Sequence, residues 1–134
     1  MTFSEALYQF WSSFTDDEMP MDAYLTGQVP DGAIFPCVSY NLVEGSWGRT
    51  PATAFVWIRH RAGVNVKEKR DSFFEQVKKA IPVSGRVLRY DGGMAVLYRN
   101  QSEFLSAYDP PGENDTFEPI RGGKVSYEIA FYGN

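Results

Sequence analysis

Two scarcities in this 134-residue sequence, one cysteine and one histidine, exclude more functions than any motif it contains. A single Cys forbids an intramolecular disulfide, and one Cys with one His falls short of the usual zinc ligand sets. Long apolar runs are missing as well. The longest, Ala54–Ile58 and Met94–Tyr98, hold five residues each, strand-sized beside the ~20 that cross a bilayer, so no membrane partner is expected. Met1-Thr2-Phe3-Ser4-Glu5-Ala6 lacks the basic stretch and apolar core of a signal peptide, which predicts cytosolic synthesis. Basic residues are absent from the first 48 positions.

What the chain does contain is apolar and aromatic. It is 43% hydrophobic and 16% aromatic, with three Trp, eight Tyr and ten Phe. That is enough apolar surface to offset chain entropy, so a folded chain is expected, of a length that suits one domain over residues 1–134. The net charge of −4 argues against a general nucleic-acid binder, and it hides a block pattern. Residues 1–48 carry −7, residues 49–99 carry +7 and residues 100–134 carry −4. Segregated charge of this kind pairs within one monomer or between complementary faces of neighbouring copies.

Hydrophobic spacing sets the expected elements. Thr2-Phe3-Ser4-Glu5 reads as a capping box ahead of apolar Phe3, Leu7, Phe10, Trp11 and Phe14, predicting a helix over about 3–14. Pro20 closes that stretch, and a connection runs to about Pro36; structureless connections beyond about 15 residues are uncommon and usually functional or partly structured. From Cys37 the period becomes two, through Val38, Tyr40 and Leu42. A longer strand follows over about Thr53–Arg61, with Ala54, Val56 and Ile58 on one face and Phe55, Trp57, Arg59 and Arg61 on the other; the two form a hairpin. Asn65 caps a second helix with an apolar stripe of Val66, Phe73, Phe74, Val77, Ala80 and Ile81, while Lys67, Lys69, Arg70, Lys78 and Lys79 make its solvated face. Asp91-Gly92 turns one strand-like run into the next, and Lys124–Tyr132 alternates as a last strand. The order helix, strand, strand, helix, strand, strand, strand predicts an α+β fold, a largely antiparallel sheet of about four to five strands with two main helices packed on it.

Chemistry-bearing groups are sparse. His60 lies in a predicted strand between Arg59 and Arg61, where a structural or surface histidine is favoured over a general base. Cys37 reads as a buried apolar thiol. Asp16-Asp17-Glu18 with Asp22 lacks the ordered ligand-and-Gly pattern of a calcium loop and reads as a solvated acidic turn. Gly92-Gly93 and Gly122-Gly123 have no phosphate-loop spacing. No catalytic, cofactor or metal residue is assigned. Arg59, Arg61, Arg86, Arg89 and Arg99, interleaved with aromatics, suit a subunit interface better than a nucleic-acid platform in so acidic a chain. Arg, Tyr and Trp are enriched in interface cores and hot spots. The candidate contacts are Trp47, Arg49, Trp57, Arg59, Arg61 and Tyr90.

The short N-terminal helix, Phe35-Pro36-Cys37-Val38-Ser39-Tyr40-Asn41-Leu42, the strand Ala54–Arg61, the helix after Asn65, Gly85-Arg86-Val87, the Gly-Gly hairpin and the late Tyr127-Glu128-Ile129-Ala130-Phe131 together resemble the tail terminator and minor tail or minor capsid proteins of long-tailed bacteriophages and prophages. The resemblance implies a virion structural protein without an active site or cofactor. It would form a ring, expected to be hexameric, cap the tail tube and dock on the head connector, with DNA only as cargo passing through. The alternatives are another head–tail joining or neck protein, or a small cytosolic α+β enzyme or ligand-binding domain using His60.

Overall fold

The computed structural model of the chain describes residues 1–43, 48–110 and 119–133. The Thr2 capping box forms: Oγ1 accepts from the Glu5 amide and Glu5 Oε1 accepts from that of Thr2. It opens helix α1, Phe3–Trp11, which ends about one turn earlier than the apolar spacing predicts. Two short strands, β1 (Thr15–Asp16) and β2 (Met19–Pro20), form their own antiparallel pair. Then come β3 (Ala23–Leu25), β4 (Cys37–Tyr40) and β5 (Arg49–Arg59). Helix α2 (Val66–Ala80) starts on Asn65, whose side chain accepts from the Glu68 amide. Strands β6 (Arg86–Tyr90), β7 (Gly93–Arg99), β8 (Leu105–Tyr108) and β9 (Ile120–Gly133) complete the chain.

The expected four-to-five-stranded antiparallel sheet is not what forms. Strand accounts for 43% of the described residues and helix for 20%, in a curled seven-stranded mixed sheet beside the two-stranded one. Its order is β3-β4-β5-β9-β7-β6, with β8 also on β9. β3 supplies the parallel pairing, Ala23 opposite Val38 and Leu25 opposite Tyr40. Both β3 and β8 are too short to show a period of two, so each reads as connection in the sequence. β9 is the spine: one edge lies along all of β5, while the other is shared by β8 over Gly122–Val125 and β7 over Tyr127–Gly133.

Both helices lie on one face of this sheet. Leu7, Phe10 and Trp11 of α1 and Phe73 and Val77 of α2 pack with Val38, Ala54, Val56, Ile58, Leu97, Val125, Tyr127 and Ile129 in one buried cluster. Tyr127 sits at its centre, fully buried, its hydroxyl accepting from the Trp11 indole N–H at 3.3 Å. Gly123 leaves room for the helix layer, since a Cβ there would stand 2.8 Å from the Phe74 ring. The basic face expected on α2 is only partly solvated: the Lys69 and Arg70 side chains keep 22% and 18% of their exposure, drawn down onto Asp16 and Asp109.

Candidate functional site

The alternation in β5 that buries Ala52, Ala54, Val56 and Ile58 sends Arg49, Pro51, Thr53, Phe55, Trp57 and Arg59 to the opposite face, where neither of the two described helices packs. Strand register extends that face across the sheet, placing Glu128 and Ala130 of β9, Val96 and Tyr98 of β7 and Tyr108 of β8 beside them. Phe55 and Trp57 stack at 5.1 Å with 13° between their planes, and Tyr108 closes on both rings at 5.3 and 5.9 Å. Gly122 lies between Trp57 and Tyr108 in register, and a Cβ on it would meet the indole at 2.9 Å. The Trp57 N–H donates to Ser39 Oγ at 2.8 Å, which satisfies a polar group buried on β4. At the other end of β5 the Arg49 guanidinium lies 4.0 Å over the Tyr98 ring, within the range where cation and ring quadrupole attract.

Arg59 covers the Phe35 ring at 4.6 Å, and that pair divides two cavities. The larger, about 450 Å³, is lined by Asp16, Phe35, Pro36, Arg59, Arg61 and Lys69. The Lys69 ammonium bonds both Asp16 oxygens at 2.9 Å, and that hydrogen bond holds the lysine pKa above its ordinary value. The second, about 360 Å³, lies among Val29, Pro30, Phe35, Ser39, Trp57 and Arg59, where the connection after β3 folds back over the sheet.

Of the expected contact residues, Arg49, Trp57 and Arg59 therefore share the helix-free face. Arg61 lies just past β5 in the wall of the larger cavity. Tyr90 is elsewhere: it is half-buried on the helix side, its ring edge-on to Phe3 at 5.4 Å. Trp47 falls outside the described residues. Tyr98, Tyr108 and Phe35, which complete the aromatic–arginine pairs, are not among the contacts expected from the sequence; Arg49, Phe55, Trp57 and Arg59 are linked by the odd-numbered alternation of β5.

His60 is exposed and stands after the end of β5, not within the expected strand. Its backbone N–H donates to the Pro119 carbonyl at 2.8 Å, and its ring lines neither cavity. Cys37 is fully buried, where desolvation, aided by the negative charge of Asp22, pushes its pKa up to about 11. Among the described residues no group of three or more His, Cys, Asp or Glu is placed to hold a metal ion, and no helix is long and apolar enough to cross a membrane. Comparison with protein-family models, with curated proteins and with solved structures finds no match to this chain.

Proposed function

We propose that this protein is a structural component of a long-tailed phage or prophage virion, a tail terminator whose copies close into a ring of six. The ring caps the tail tube and joins it to the head connector, with DNA crossing it as cargo. The observation that carries the reading is the one-sided sheet: helices cover one face, and the other displays Arg49 on Tyr98, the Phe55–Trp57–Tyr108 stack and Arg59 on Phe35. Large planar side chains held rigid by one another lose little entropy on contact, and Arg and aromatic groups dominate the hot spots of protein interfaces. Charge segregation supports the same use, because a ring joins two different patches of each copy.

Electron microscopy of tail tubes assembled with and without the protein tests this. With it, tubes should carry a ring at one end and stop lengthening. Tubes that grow unchanged and remain bare at both ends would overturn the proposal. Binding to the connector with no affinity for the tube would assign the chain to the neck instead.

A further inference from the structure

The sheet has two outer strands, β3 at one end and β6 at the other, and their unpaired backbone groups correspond. Val38 N–H donates to the Asp22 carbonyl and Thr26 N–H to that of Tyr40, so Asp22, Tyr24 and Thr26 face β4. By alternation Ala23 and Leu25 turn their amides to the free edge. On β6 the two-residue turn Asp91–Gly92, with Gly92 at φ +93, makes Tyr90 and Gly93 a doubly hydrogen-bonded pair. Arg86 and Leu88 then also face β7, leaving Val87 and Arg89 with outward N–H and C=O groups. Each edge therefore offers two residues, spaced two apart.

Direction and charge agree. β3 runs parallel to β4, and four antiparallel steps separate β4 from β6, so β3 and β6 point the same way within one sheet. A second copy related by rotation about a ring axis aligned with the strands brings its β3 parallel to the first copy's β6. The β6 edge is basic: Arg86 and Arg89 line the groove between β6 and α1. Arg86 lies over Phe10 at 5.6 Å and Arg89 contacts the Met94 sulfur at 3.8 Å, and neither pairs with a carboxylate among the described residues. The β3 edge is acidic: Glu5 lines its groove with α1, and among the described residues the exposed Asp22 carboxylate accepts only a 3.5 Å bond from the Tyr24 hydroxyl.

We infer that copies of this chain join edge to edge, β6 of one alongside β3 of the next in parallel, so that one sheet continues around the ring. The inference rests on the ring reading and adds its seam. In the register that sets Arg89 opposite Tyr24, Arg89 N–H donates to the Ala23 carbonyl, Leu25 N–H to that of Arg89 and Ala23 N–H to that of Val87. The Leu25 carbonyl stays with the Gln28 amide that it already accepts from at 2.9 Å. Arg89 and Asp22 then lie on the same sheet face, two residues apart across the seam, within reach of a long side chain. Unpaired strand edges are where chains add to one another.

Charge exchange read by native mass spectrometry tests the seam. Arg89→Glu and Asp22→Lys should each shift the protein from ring to monomer, with far-ultraviolet circular dichroism unchanged, and the double variant should recover the ring. In a separate variant, Val87→Cys with Asp22→Cys should form disulfide-linked multimers on oxidation, with Cys37 buried and silent. Rings that survive both single reversals and form no such cross-link would overturn the seam while leaving the ring intact. Dimers joined through Val87→Cys alone would replace it with a two-fold β6–β6 contact. A parent chain that is monomeric throughout would overturn seam and ring together.

Discussion

Arg99 donates through Nε to the Ile81 carbonyl at 2.8 Å and through Nη2 to that of Lys78 at 2.9 Å. It thereby satisfies the last turn of α2 and places its charge at the negative end of the helix dipole. Sequence spacing groups it with Arg59, Arg61, Arg86 and Arg89, but the partner that defines its role lies 18 residues away. Arg99→Ala should lower stability by about 1–2 kcal/mol, the value of charge-assisted bonds to backbone at a partly open site, seen as a lower urea midpoint at unchanged slope. Cys37 follows from burial alone. Its pKa of about 11 against an ordinary 9.0 means that the thiolate forms more readily unfolded than folded. The stabilising difference is therefore present below pH 9.0 and is lost as pH rises from there toward about 11. At about pH 8 a thiol-reactive chromophore should leave folded protein unmodified and titrate one group after denaturation.

Elements were legible where local chemistry writes them. Thr2 with Glu5 and Asn65 with Glu68 mark helix starts because capping is a contact three residues long. β5 was legible from Thr53 on, where Ala54, Val56 and Ile58 alternate with Phe55, Trp57 and Arg59; residues 49–52, Pro51 among them, belong to the strand but fell outside the expected one. β3 and β8 were not, since three or four residues carry too little pattern and owe their place to neighbours distant in sequence. The same limit hid the role of Gly122. It precedes the expected last strand, Lys124–Tyr132, yet lies inside β9, and its bare backbone lets Trp57 and Tyr108 approach from either side. A Cβ there would stand 2.8 Å from the Tyr108 carbonyl oxygen and 2.9 Å from the indole, and backbone cannot swing aside as a flexible side chain can. Gly122→Ala should cost about 1–3 kcal/mol and open the aromatic stack, measurable as a lower melting temperature with altered near-ultraviolet circular dichroism.

Across the whole molecule, the charge blocks are divided between two uses. Lys69 with Asp16 and Arg70 with Asp109 join the basic middle of the chain to its acidic ends within one copy. Arg86, Arg89 and Asp22 are left at opposite sheet edges. Charge segregation was legible in the sequence, but which charges remain for a neighbour depends on a sheet order that residue types do not encode. Because the left-over charges are exposed, salt should weaken the assembly: the screening length falls from about 10 Å at 0.1 M to about 3 Å at 1 M. Sedimentation velocity across that range should show the ring giving way to slower species. The central claim, that copies of this chain assemble through complementary surfaces into a closed ring, is tested most directly by native mass spectrometry of the purified protein at low salt. The account predicts a dominant species of six copies, with partial assemblies growing as the protein is diluted. A mass of one copy of 15.2 kDa at every concentration, unchanged when tail tubes are added, would contradict it.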